Sequence, residues 1–268
     1  MYNRTLVLKL GGSLVTDKSQ PYCLRANVLK AVAKEIKECL DLNLVQRLAI
    51  VHGVGSFGHP PVIQYKLHRG FTDQGQLLPI SRTQSKVNEL RTLICAELQD
   101  QGIPVNLFHT SSMAVAKRGK IIEMDLRAVK GFLDIGMVPV LGGDMVYDQD
   151  MGFSVGSGDQ VAAILARELN ATDLVLATDV AGVFDADPKA NSDAKLIKEL
   201  SLSSMQAVNF TGDKKDASGT MRGKLSSLAV LDPELQEGLK LTIVSLMSPG
   251  HLKALLQGHE QEATLIRP

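Results

Sequence analysis

Short unbroken apolar runs alternate along this chain with amphipathic stretches. Residues 4–10, 48–51, 105–108, 137–141, 174–177 and 241–246 read as strands, the first containing Leu6-Val7-Leu8-Lys9-Leu10. Residues 26–40, 81–101, 125–133, 160–169, 221–231 and 249–256 read as helices. In the first of these, Leu29, Val32, Ala33, Ile36 and Leu40 fall on one stripe. Continuous apolar strands separated by helices predict a mostly parallel sheet covered on both faces. Two stretches break the rhythm. Residues 113–123 and 145–155 read as hairpins turning at Arg118-Gly119-Lys120 and Asp150-Met151-Gly152, placed to form a small lid or to flank a substrate. No low-complexity linker or internal repeat divides the 268 residues, so a single compact α/β unit with two lobes is expected.

Composition narrows the function classes. Lys+Arg and Asp+Glu both number 29, and a net charge of zero draws the protein to neither nucleic acid nor an anionic membrane. Trp is absent and aromatics are 4%, which disfavours stacking platforms for single-stranded nucleic acid. No secretion-signal pattern opens the chain, and no apolar run approaches the roughly 20 residues that span a bilayer. A cytoplasmic protein is expected. Cys23, Cys39 and Cys95 form an odd set without metal-ligand spacing, which reads as free thiols in a reducing compartment.

The chemistry gathers in glycine loops at strand ends. Lys9-Leu10-Gly11-Gly12-Ser13 leaves the first strand, with Lys18 close behind. Such a loop offers backbone N–H groups to an anion, and two cations at its mouth can neutralise phosphate. The second loop, His52-Gly53-Val54-Gly55-Ser56-Phe57-Gly58-His59-Pro60, follows another strand and opens a helix. Its Gly53-x-Gly55-x-x-Gly58 also fits a dinucleotide fingerprint, without the acidic partner about 20 residues on. His59 can donate to an anionic oxygen, whereas His52 reads as structural. Neither belongs to a metal-ligand spacing, so no protein-held metal is expected.

A third cluster joins Gly142-Gly143-Asp144 to Gly156-Ser157-Gly158-Asp159. Asp159 begins a helix, either as its N-cap or to hold lysines in place or order a magnesium shell through water. A fourth, Thr178-Asp179 to Phe184 and Lys189, lies at the end of a further strand. The fifth, Asp216 to Lys224, has Gly219 as a turn into a helix and Lys224 in its first turns. No P-loop, protein-kinase signature or Gly-x-Ser-x-Gly elbow occurs.

Taken in order, Lys9-Leu-Gly-Gly-Ser13, Thr16-Asp-Lys18, Ser157-Gly-Asp159 and Thr178-Asp-Val-x-Gly-Val183 resemble the amino acid kinase superfamily. Within it, Gly53-x-Gly-Ser-Phe-Gly-His59-Pro60 is similar to the isopentenyl phosphate kinase branch, and fosfomycin kinase shares much of the layout. The resemblance implies a three-layer αβα sandwich, usually a homodimer, with an acceptor lobe over residues 1–170 and a nucleotide lobe over 171–268. It implies transfer of the ATP γ-phosphoryl group to a small phosphate monoester, with Mg²⁺. Lys9, Gly11, Gly12 and Ser13 would bind ATP phosphates, and Lys18 would stabilise the migrating group. Val54 and Gly55 would lie between donor and acceptor, with His59 and Gly158 on the acceptor phosphate. Asp159 would organise Lys9 and Lys224. Asp179 and Phe184 to Lys189 would border the nucleoside, with Gly219 and Lys224 toward the phosphates. Val54 stands where the family has glycine, and Ser218-Gly219-Thr220-Met221 where it has Thr-Gly-Gly-Met, departures that bear on acceptor choice and nucleotide affinity.

The chemistry suits these residues. Phosphoryl transfer needs in-line positioning and charge neutralisation. An acceptor phosphate is already ionised, so His59 serves as a binding group and no general base is required. The alternatives are a phosphonate acceptor such as fosfomycin, a Rossmann-type dinucleotide-linked oxidoreductase, and a non-catalytic nucleotide sensor.

Overall fold

The computed structural model describes residues 4–202 and 221–268. Its centre is an eight-stranded sheet. From edge to edge run Glu199–Ser201, Ala263–Arg267, Lys240–Ser245, Asp173–Thr178, Thr5–Leu10, Arg47–His52, Val138–Gly142 and Val105–Leu107. Every pairing is parallel except that between Lys240–Ser245 and Ala263–Arg267.

The period-two alternation of a strand decides what each face holds. Leu6, Leu8 and Leu10 enter one core with Leu29, Val32 and Ile36 of the helix Ala26–Asp41 and Leu90, Ile94 and Leu98 of Leu77–Asp100. Val7 enters the opposite core with Val161 and Leu165 of Gly158–Glu168 and Val129 and Leu133 of Arg127–Asp134. Helices on both faces make the expected three-layer αβα sandwich. At about 1.5–3 kcal/mol for each fully buried aliphatic side chain, the central strand is anchored along its whole length, which fixes the loop that leaves it.

The hairpins are present and unite. Ala114–Lys117, Lys120–Met124, Asp144–Asp148 and Gly152–Gly156 form one four-stranded sheet. Asp148 locks its tips by accepting the backbone N–H groups of Arg118, Gly119, Asp150 and Met151. Burial alone would raise this carboxyl; the N–H donors hold it down at about 2.

Several boundaries differ from the sequence reading. The helix read over 81–101 begins at Leu77, with Pro79 in its first turn, where the missing N–H costs no helical bond. Cys39 is buried on the first helix while Leu40 is only partly so. The stretch 221–231 is an α-helix to Leu228 followed by a 3₁₀ turn, Ala229–Leu231. Ala263–Arg267, Glu199–Ser201 and the short pairs Thr16–Asp17 with Cys23–Leu24 and Val183–Phe184 with Leu196–Ile197 were not foreseen. Apart from the five-residue Ala263–Arg267, these are strands of two or three residues, which carry too little periodicity to read. Cys39 and Cys95 are free, buried thiols, pushed up by burial to about 12 and about 11.

Candidate active site

The parallel strands end on one side of the sheet, and two glycine loops meet there. Thr5–Leu10 runs through Gly11 into the one-turn helix Gly12–Val15, and Arg47–His52 runs through Gly53 into the helix Gly55–Gln64. A Cβ on Gly12 would lie 2.5 Å from the Gly55 nitrogen, and one on Gly53 would lie 2.5 Å from the Gly12 nitrogen. Backbone touches backbone, which only glycine allows. Gly11 N–H donates to Ala177 O at 2.7 Å and Gly53 N–H to Leu10 O at 2.8 Å, so these two amides serve the fold and not an anion. In the one-turn helix Gly12–Val15 the Leu14 and Val15 N–H groups donate to Gly11 O at 3.0 and 3.1 Å, and Gly12 and Ser13 are the two amides that precede this turn's own bonds.

A crevice of about 530 Å³, open to solvent, surrounds this junction. Lys9, Lys18, His59 and Asp159 all line it, together with Gly12, Ser13, Val54, Gly55 and Gly158. Gly53, Gly143, Val155, Gly156 and Ser157 complete the wall, and of these Val155 carried no signal in the sequence beyond its place in a hairpin. Lys9 is almost wholly buried, its Nζ 2.8 Å from Asp159 Oδ1. The capping reading of Asp159 is therefore corrected. Ser157 is the N-cap, its Oγ accepting from Gln160 N–H at 3.2 Å, and Asp159, two residues on in the first turn, faces the lysine. Lys18 stands exposed in the turn between Thr16–Asp17 and Cys23–Leu24. His59 lies in the second turn of Gly55–Gln64 and not in a loop. Val54 packs its methyls towards Gly58, where a Cβ would come within 2.6 Å of Cγ2.

The other site residues lie beside the crevice. Asp179 follows Asp173–Thr178 and is held by an ion pair to Lys189 and the Ser13 hydroxyl. Burial would raise its carboxyl, but these partners bring it to about 2. Phe184, half-buried, pairs with Leu196 in a two-residue ladder. Gly219 and the side chain of Lys224 lie outside the described residues; the Lys224 backbone belongs to the helix Met221–Leu228.

Behind the wall at Gly53 and Gly143 lies a polar network that sequence reasoning missed. Arg91 is fully buried. Its Nε donates to His52 Nε2 at 3.1 Å and its Nη1 to Asn88 Oδ1 at 3.0 Å, with His109 Nδ1 at 2.8 Å and Asp144 Oδ2 3.7 Å from Nη2. His52, accepting at Nε2, is neutral; burial first and then the guanidinium push it down to about 3. Asp144 turns into this network and to the Met145 N–H (2.8 Å), away from the crevice. An arginine in a polar helix reads as solvated, and its partners come from distant segments.

A family model described as the amino acid kinase family matches residues 4–244. The chain belongs to the amino acid kinase family. It is 34% identical to an isopentenyl phosphate kinase of Methanothermobacter thermautotrophicus over 270 residues, covering 97% of this chain and 98% of that one. The isopentenyl phosphate kinase of Methanocaldococcus jannaschii is 34% identical over 227 residues, covering 78% and 83%. A solved isopentenyl phosphate kinase superposes with a TM-score of 0.82 at 30% identity, covering 98% of this chain and all of that one. UMP kinase from Ureaplasma parvum, 14% identical at a TM-score of 0.64, shares the fold alone. The dinucleotide reading of Gly53–Gly58 is not favoured. In this amino acid kinase, Gly53 and Gly55 serve the contact with Gly12 and Thr16.

Proposed function

We propose that this chain transfers the γ-phosphoryl group of ATP to the phosphate of isopentenyl phosphate, giving isopentenyl diphosphate. One observation carries the reading: Lys9, Lys18 and His59, from three separate elements, line one crevice where two glycine loops touch. Similarity to isopentenyl phosphate kinases over nearly the full chain supports the acceptor.

In this mechanism the two anionic substrates approach from either side of the Gly12–Gly55 contact. Lys9, held by Asp159, sits against the donor phosphates. Lys18 reaches the transferring group, whose equatorial oxygens carry the charge of a loose transition state. His59 binds the acceptor phosphate, and Val54 narrows the space between acceptor and donor. Asp179, Phe184 and Lys189 border the nucleoside, with Gly219 and Lys224 toward its phosphates. Among the described residues no cluster of carboxylates could hold a metal, and Asp159 and Asp179 are both engaged by lysines. Mg²⁺ would therefore enter on the phosphates of ATP, supplying charge neutralisation there. The reading extends to a homodimer in the cytoplasm, with residues 1–170 as acceptor lobe and 171–268 as nucleotide lobe. Among the described residues no helix is long and apolar enough to cross a membrane.

The test is ADP release with MgATP and a panel of acceptors: isopentenyl phosphate, other small monophosphates and fosfomycin. Release with isopentenyl phosphate, and a diphosphate resonance in the phosphorus spectrum, is the expected result. Turnover of fosfomycin alone, or ATP binding without turnover of any acceptor, would replace the reading.

A further inference from the structure

Lys18 is exposed on a small hairpin, yet the proposed reaction needs its ammonium held against a group in transit. What fixes the hairpin is Ser56, in the first turn of the helix that bears His59. Its N–H donates to Thr16 Oγ1 at 3.0 Å, and its Oγ accepts from Cys23 N–H at 3.1 Å. Its carbonyl accepts from Tyr22 N–H at 3.2 Å. That carbonyl is available because Pro60, four residues on, has no N–H to give it. Thr16 completes the link by donating Oγ1 to Gly12 O at 2.6 Å. Both side chains are buried, Thr16 at 0% and Ser56 at 2% exposure. The left-handed Gly55 (φ +45°) makes room, since a Cβ there would lie 2.0 Å from Thr16 Oγ1. Tyr22 then rests edge-on against Phe57, ring centroids 5.9 Å apart.

We infer that Thr16 and Ser56 are positioning residues: one hydroxyl ties the donor loop at Gly12 to the acceptor helix at Ser56, and Ser56 grips the Lys18 hairpin on both sides of its turn. The three elements that must agree on the path of a phosphoryl group are thereby locked in one frame. The inference rests on the kinase reading above and adds to it the residues that set the register of Lys18.

Thr16→Val keeps shape and removes both hydrogen bonds; Thr16→Ser keeps the hydroxyl. With misplacement of a reacting group by about 1 Å costing up to about 10²-fold, Thr16→Val should lower kcat about tenfold or more while KM for ATP changes little. Thr16→Ser should restore most of it. The deciding arm is the double variant. If Thr16 acts through Lys18, adding Thr16→Val to Lys18→Ala should lower kcat no further than Lys18→Ala alone. Trypsin cleavage after Lys18 should quicken in Thr16→Val without a matching fall in Tm. Ser56→Ala, which removes only the grip on Cys23, carries the same cycle should Thr16→Val not fold. Additive losses, or a Thr16→Val kcat equal to that of an active wild type, overturn the clamp alone. A wild type that releases no ADP with any acceptor overturns the kinase reading, and the clamp with it.

Discussion

A lysine inside the crevice and one beside it are held in opposite ways. Lys9 has 4% of its side chain exposed and faces a carboxylate with 8% exposed. Lys189, also paired with an aspartate, leaves 65% of its side chain in water. The first pair is part of the protein interior as well as of the site, placed by a central strand buried along its whole length. The second sits on a polar loop at the rim. A buried charge without a partner is costly, whereas an exposed one is solvated whether paired or not. Removal of charge from the deep wall should therefore harm folding and function together, and removal from the rim should harm function alone.

The largest effect is expected at Lys9. Lys9→Met would set an apolar side chain against the Asp159 carboxylate, and breaking a buried pair costs about 3–5 kcal/mol. Denaturant unfolding should show a loss of that order, with turnover abolished. The two partners should differ in their response to ligand. In Asp159→Asn, nucleotide phosphates can replace the missing anion beside Lys9, so ATP should raise Tm more than in the wild type. In Lys9→Met, the carboxylate no longer faces the ammonium and repels the phosphates, so ATP should raise it less. Equal shifts in both variants would remove Lys9 from the phosphate site.

Lys18 tests the other half of the contrast. It is exposed, and no ion pair to it was found among the described residues. Lys18→Ala should leave the unfolding free energy within about 0.5 kcal/mol of wild type. Loss of one charged transition-state contact worth about 3 kcal/mol should lower kcat about 10²-fold. Near-normal turnover would take Lys18 out of the mechanism, and a large stability loss would break the distinction between wall and rim.

The legible part of this molecule is what short-range chemistry encodes. The alternation of Leu6, Leu8 and Leu10 with Val7 gave two core faces, and glycine after an apolar run marked each loop. The contacts between those loops were not legible. Gly12 needs no side chain because Gly55 lies against it, a constraint between two helix starts that follow different strands. Asp159 had two readings, and only the folded chain shows that Ser157 takes the cap and leaves the carboxylate for Lys9. Pro60 closed the second loop in the sequence reading and lies inside the helix Gly55–Gln64. Its missing hydrogen bond is made good at Ser56 by Tyr22, a partner no local rule can name.

The polar network around Arg91 offers a test by acid. His52 sits at about 3 in the folded chain against an ordinary 6.5. Between those values the unfolded chain binds a proton that the folded one does not, so stability is present above pH 6.5 and is lost as pH falls toward 3. At about 1.4 kcal/mol per pH unit, His52 should cost about 2 kcal/mol by pH 5. His109, lowered by burial and then by Arg91, acts in the same direction. The carboxylates held near 2 contribute at lower pH, where unfolded aspartates titrate. His52→Gln should flatten the slope of unfolding free energy between pH 7 and 5. A slope equal to that of wild type would mean the ring takes up its proton within the fold, and that Arg91 does not keep it neutral.

The smallest effect belongs to Lys189, and its smallness is what the comparison requires. Its partner Asp179 is also bonded by Ser13, so the carboxylate keeps a donor when the lysine is cut back. An exposed pair contributes about 0.2–1 kcal/mol, and screening by salt reduces even that. Lys189→Ala should therefore leave Tm and kcat near wild type. If the ammonium borders the nucleoside, KM for ATP should rise, by no more than about fivefold at low salt and less at 0.5 M salt, in keeping with an interaction below about 1 kcal/mol. A loss of kcat as large as that from Lys18→Ala would place Lys189 on the transferring phosphates instead. The rim would then share the electrostatic work assigned to the wall, and exposure would no longer separate the lysines that build the site from those that border it.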